Sequence, residues 1–192
     1  MATTQISELE IENQFLLEKL SQYLKLKNIC MPENPKIGYI DIETTGLSRD
    51  YHEITVIGIY DEEGPRTYIN GVDMHDALPH LEQFDIVVTF NGKCFDIPFV
   101  QTISGKEYDF IHLDLRYLLK ELGLAGGLKK IEKALGISRA EEVADVDGRE
   151  AVRLWHQYKK GDYMALDKLL KYNREDIINL KILLNYYLDK SL

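Results

Sequence analysis

Residues 39–47 read Tyr-Ile-Asp-Ile-Glu-Thr-Thr-Gly-Leu, and with Ile37 and Gly38 before them they begin as a short apolar strand and end in acid and a turn. Successive side chains of an extended chain point to opposite faces. Asp41 and Glu43 therefore share one face, and Ile40 and Ile42 hold the other. Two neighbouring carboxylates at the end of a buried strand repel each other and lose hydration, which is unfavourable without a cation. A solvated strand end running into the Thr44-Thr45-Gly46 turn is the competing reading, because acids often sit beside turns.

The chain on either side gives that strand its setting. Residues 53–60, rich in β-branched side chains, and residues 66–70 read as two further strands, joined by a turn at Asp61–Pro65. Such short connections imply antiparallel neighbours. A helix over 72–84 then precedes a buried strand at 85–90, and a helix over 94–104 precedes a strand near 110–113. Strand–helix–strand order favours parallel pairing. From Leu115 onward the pattern is helical, with helices over 115–122, 127–135, 149–159 and 162–189. The fold class is thus α/β: a mixed sheet, three antiparallel strands followed by parallel ones, flanked by helices.

Before the first strand, Ile6, Leu9, Phe15, Leu16, Leu20, Tyr23 and Leu24 recur at helical spacing over residues 5–28, and Pro32, Asn34 and Pro35 break the pattern. The expected organisation is a helical extension and linker over residues 1–35 and a main domain over 36–192. The apolar stripe of the extension docks on that domain, on a partner or on a second copy.

The chain has 192 residues, 45% of them hydrophobic and 29% charged, which is ordinary globular composition and excludes a disordered or fibrous protein. A net charge of −9 argues against gripping nucleic acid through a broad basic surface. Two cysteines, Cys30 and Cys94, are too few for a disulfide framework, and the expected setting is the cytoplasm. No run approaches the roughly 18 apolar residues of a membrane span.

Two further places carry candidate chemistry. Asn91-Gly92-Lys93-Cys94-Phe95-Asp96 follows the strand at 85–90, at a strand-to-helix junction of the kind where open α/β sheets place ligands. Its plainer reading is a helix start with Asn91 and Gly92 as turn residues. In the last helix Tyr172 and Asp176 are four apart and share a face with Leu169 and Leu180, so the acid needs a partner. Four carboxylates without cysteine or clustered histidine suit hard divalent cations such as Mg²⁺ or Mn²⁺. Lys129, Lys130 and Lys133 read either as phosphate contacts or as a solvated helix face. Asp114 reads as the cap of the helix at 115.

The order Asp-x-Glu, Asp, Tyr-x-x-x-Asp on strand, strand–helix junction and late helix resembles the DEDD (DnaQ-like) 3′-5′ exonucleases, which have a ribonuclease H-like fold. Tyr172 matches their tyrosine (DEDDy) branch. YIDIETTGL, FNGKCFDIPFV, GLKKIEKALGI, DGREAVRLWHQY and KKGDYMALDKLLKYNREDIINL resemble the YprB-type domains over about residues 36–189. The resemblance implies a two-metal exonuclease that releases mononucleotides from single-stranded DNA or RNA 3′ ends. Its metal ligands would be Asp41, Glu43, Asp96 and Asp176, and Tyr172 would orient the attacking water. Thr44, Thr45, Gly46, Leu47, Asn91 and Lys93 would meet the substrate. A catalytically weak or inactive adaptor of the same fold and a structure-dependent endonuclease are the alternatives. Retention of all four acids weighs against the first, and the tyrosine motif weighs against the second.

Overall fold

A computed structural model describes residues 2–192, with side chains from residue 11 onward. The five strands are β1 (Ile37–Thr44), β2 (Ile54–Asp61), β3 (Gly64–Ile69), β4 (Ile86–Thr89) and β5 (Ile111–Asp114). They form one sheet in the order β3-β2-β1-β4-β5, antiparallel from β3 to β1 and parallel from β1 to β5. This is the mixed sheet expected from the connection lengths. The β2–β3 turn is tighter than expected: Glu62 and Glu63 alone make it, and Gly64 and Pro65 pair with Asp61 and Tyr60. Pro65 is tolerated because β3 is an edge strand and the missing N–H interrupts no interior ladder.

Helices cover both faces. On one side α2 (Met74–Leu81) and α3 (Asp96–Ser104) pack on Ile40, Ile42, Ile57 and Ile59, burying Ala77, Leu81, Phe99 and Val100. On the other lie α1 (Ala2–Leu26), α4 (Leu115–Glu121), α5 (Leu128–Ala134) and the 29-residue α8 (Tyr163–Ser191), over Tyr39, Ile86 and Val88. The same side carries α6 (Glu141–Ala144) and α7 (Gly148–Tyr158), which bury Val143, Leu154 and Trp155 around Val56 and Leu169. The alternation inferred for β1 holds: Tyr39 belongs to the core under α8, while Ile40 and Ile42 belong to the core under α2 and α3.

The helix 74–81 is shorter than the expected 72–84, because Val72 and Asp73 form a turn held by bonds to the Ile69 carbonyl. The four-residue α6 has too few residues to show a period and is absent from the sequence reading. In α1, Leu16, Leu20, Tyr23 and Leu24 are buried against α8, so this helix packs within the same chain. Phe15 was expected on that stripe but is 58% exposed, since Leu16 and Leu20 define a face from which it is turned away. Ile6 and Leu9 lie outside the described side chains. Among the described residues no helix is long and apolar enough to cross a membrane.

Candidate metal centre and cleft

The site forms where β1 outruns its parallel neighbour. β1 pairs with β4 only from Ile37 to Tyr39, and beyond Thr89 the chain leaves the sheet through Phe90 and Asn91. The Ile42 N–H on that vacated side is taken instead by Asp96, the first residue of α3, whose Oδ1 accepts it at 3.0 Å. One backbone hydrogen bond thus brings the NGKCFD acid to the Asp41-Ile42-Glu43 strand end. Asn91 supports the departure with a left-handed φ of 69°, which asparagine tolerates.

On the opposite flank, α8 crosses β1 and β2 and delivers Asp176. Carboxylate oxygens of Asp41, Glu43 and Asp176 all lie within 4.8 Å of one another. Glu43, Asp96 and Asp176 are buried, and Asp41 is half-buried. Tyr172 stands one turn before Asp176 on the same face of α8, near enough for its hydroxyl to favour the ionised carboxylate. The next residue, Asn173, is fully buried, and its Nδ2 donates to the Asp41 carbonyl (3.2 Å) and to Asp41 Oδ2 (3.0 Å). The approach requires Gly58, the cross-strand partner of Asp41. A Cβ there would stand 2.1 Å from Asn173 Oδ1.

Crowding makes these acids hard to ionise without a cation. Burial, then the charges of Asp176, Asp96 and Glu43, hold Asp41 well above the usual carboxylate range. Burial and the neighbouring acids do the same to Glu43. Burial pushes Asp96 up to about 7 against the lowering effect of the Ile42 N–H. It pushes Asp176 up to about 6, the Arg139 guanidinium restraining the rise. Tyr172 is shifted far upward by burial and by the acids around it, so its hydroxyl stays protonated. An all-oxygen donor set whose members resist ionisation together fits a hard divalent cation, which would neutralise them as they bind it.

Several residues that sequence patterning does not single out complete the site. Arg139, in the loop after α5 and with its side chain buried, pairs with Asp176 and makes a two-point contact with Glu132 of α5 at 2.7 and 2.6 Å. Glu132 also accepts from Asn179 of α8 at 3.0 Å. Lys129 departs from the solvated face considered for it. Its Nζ donates to the carbonyls of Val143 (3.3 Å), Ala144 (2.8 Å) and Val146, closing the C-terminal end of α6. Lys129 and Arg139 both lie over the Tyr172 ring, at 5.1 and 5.5 Å from its centroid. Lys130 and Lys133 are exposed.

The acids open into a cleft of about 680 Å³ whose lining includes Thr44, Gly46, Leu47, Asn91 and, from the start of α7, Asp147, Gly148 and Arg149. Thr45 and Lys93 are not among its walls. The Thr45 hydroxyl accepts the Glu53 N–H at 3.1 Å and closes the β1–β2 loop on itself. The Lys93 side chain is exposed, and its backbone N–H is held by Asp114 Oδ2 at 3.0 Å. Asp114 caps α4 as expected, through the Arg116 N–H at 3.1 Å, and also accepts from Asn91 N–H at 2.7 Å. The cap of one helix therefore fixes the loop that carries Asn91 and Lys93. Leu47 stands at the mouth, 87% exposed.

Comparison with known proteins agrees with this architecture. The sequence matches no curated protein. Among solved structures, the family B DNA polymerase from the hyperthermophilic archaeon Pyrobaculum calidifontis superposes with a TM-score of 0.60 at 14% identity, covering 85% of this chain and 25% of the polymerase. The chain therefore spans about a quarter of that protein's length, and at that identity the likeness speaks for the fold alone. The family described as the RNase_H superfamily matches residues 38–188, from the second residue of β1 nearly to the end of α8. By that match, which takes in the strand end, the α3 junction and the α8 acid alike, the chain belongs to the RNase_H superfamily.

Proposed function

We propose that this protein is a metal-dependent 3′-5′ exonuclease of the DEDDy, YprB type, acting on single-stranded nucleic acid ends, with residues 36–192 as the nuclease domain and 1–35 as its extension. The observation that carries the reading is the convergence of Asp41, Glu43 and Asp176, with oxygens within 4.8 Å of one another, beside the buried Asp96 on the Ile42 N–H. Two Mg²⁺ or Mn²⁺ ions would supply water activation and leaving-group stabilisation when bound. Asp41, which feels the charges of Asp176, Asp96 and Glu43 together, would help to hold both ions. Glu43 and Asp176 would complete one site, and Asp96 would support the other. Tyr172 keeps its proton, so its part is to orient the attacking water rather than to act as base. Thr44, Gly46, Leu47 and Asn91 line the approach for the terminal nucleotide, and Arg149 stands on the same cleft with a charge suited to phosphate.

The test uses end-labelled single-stranded DNA and RNA with Mg²⁺ or Mn²⁺, beside an Asp41→Ala variant. A ladder shortening from the 3′ end, abolished in the variant, is the expected result. Discrete internal fragments would replace the exonuclease by an endonuclease, and binding without cleavage of either polymer would make the protein an adaptor.

A further inference from the structure

The proposed cage contains a cation of its own. Arg139 has a side chain only 5% exposed, yet it sits in a loop between α5 and α6, distant in sequence from every acid of the site. It contacts Asp176 directly and lies 5.5 Å over the ring of Tyr172. Glu132, itself 2% exposed, makes two bonds to the guanidinium and a third to Asn179, one turn of α8 beyond Asp176. Buried ion pairs give little net stability compared with well-packed apolar side chains of the same volume. Arg139 is not even fully satisfied, since its Nη1 has no hydrogen-bond partner among the described residues. Strengthening the fold is therefore a poor account of it. What this geometry does is hold one metal-ligand candidate by opposite charge and its tyrosine by a cation over the ring face.

We propose that Arg139 is a built-in counter-ion of the acid cage, presetting Asp176 and Tyr172 in the metal-free protein at the expense of metal affinity. The inference rests on the metal-dependent reading above and deepens it. The guanidinium neutralises part of the charge a divalent ion is attracted to, and it stands in contact with a carboxylate that ion needs. Arg139 is a positioning residue: it acts through Asp176 and Tyr172. Glu132 serves by fixing the guanidinium.

The experiment is calorimetric titration of the full chain with Mn²⁺ in the absence of nucleic acid, which reads affinity independently of activity. Wild type is compared with Arg139→Lys, which keeps a point charge without the fork. It is also compared with Arg139→Gln combined with Glu132→Gln, which frees Asp176 while leaving the local charge sum unchanged. The expected order of affinity is wild type weakest, Arg139→Lys intermediate and the double variant tightest. The gain across the series is at least about 5-fold, or about 1 kcal/mol at 1.4 kcal/mol per tenfold. Any other order among the variants that fold overturns the proposal, and wild type against Arg139→Lys decides it alone if the double variant does not fold. A wild type that binds no Mn²⁺ would instead sink the metal-dependent reading itself, whereas Mn²⁺ binding that Asp41→Asn weakens and the Arg139 series leaves unchanged would sink only the counter-ion.

Discussion

At the scale of single residues, the acids trade stability for a poised site, and Asp96 shows it most simply. Its carboxyl is pushed up to about 7 in the folded chain, mainly by burial, against about 4 in an unfolded one. Between those values the native state holds more protons than the unfolded state, so metal-free stability falls as pH rises through that window. Asp96→Asn removes this pH-dependent term while keeping an acceptor for the Ile42 N–H. In chelator at pH 8 the variant should melt several degrees above wild type, the difference vanishing near pH 4, while nuclease activity falls at least about 100-fold. Melting curves across pH test the first part, and equal pH slopes for both proteins would refute it. Tyr172→Phe separates orientation from binding. With the hydroxyl gone, kcat should drop about 10- to 100-fold, while Mn²⁺ affinity measured by titration stays within about 2-fold.

At the scale of elements, the site depends on how closely α8 approaches the sheet, and Gly58 sets that distance. Gly58→Ala places a methyl group 2.1 Å from Asn173 Oδ1, between a strand and a helix that are both packed elsewhere. Overpacking of this kind costs about 1–3 kcal/mol, and here it should also release Asp41 from Asn173. The expected outcome is a lower melting temperature and weaker Mn²⁺ binding together. Asn173→Ala should weaken metal binding with a different stability penalty, because it removes the donor without forcing the helix away. A Gly58→Ala protein with wild-type metal affinity would show that α8 has room to give. These contacts also mark where sequence reading stops. The strand, the α3 junction and the α8 acid were legible because alternation, a turn before a helix and an i, i+4 pair are local patterns. Asn173, Gly58 and Arg139 were not. Nothing local tells that a glycine in β2 faces an asparagine more than a hundred residues later, or that a loop arginine reaches an acid 37 residues on. Lys129 eludes a local reading for the same reason, since its partners are the carbonyls at the end of a four-residue helix without a period of its own.

At the scale of the whole molecule, the placement of α1 bears on the helix that carries two of the site residues. α8 carries Tyr172 and Asp176 in its first half, and its second half, Leu183, Leu184, Tyr187 and Leu188, is the floor on which Leu16, Leu20, Tyr23 and Leu24 of α1 rest. Tyr23 meets Tyr187 edge to face at 5.5 Å, and the Lys181 ammonium donates to Asn13 at 3.1 Å. Each large apolar side chain buried here is worth roughly 1.5–3 kcal/mol as an upper bound, whereas the exposed Lys19–Asp189 pair is worth about 0–1 kcal/mol. Removing residues 1–35 should therefore lower the melting temperature by about 10 °C or more and leave an apolar face that drives self-association, read as a concentration-dependent mass in light scattering. Lys19→Ala should change melting by no more than a degree or two. If α1 left α8 in solution to meet a partner, the truncated chain would melt with the full one, and the extension would be a docking arm rather than a brace. Because α8 links that brace to the acids, the truncated chain should also bind Mn²⁺ more weakly at temperatures where it is still folded. A brace that stabilised α8 without holding its first half in place would leave that affinity unchanged.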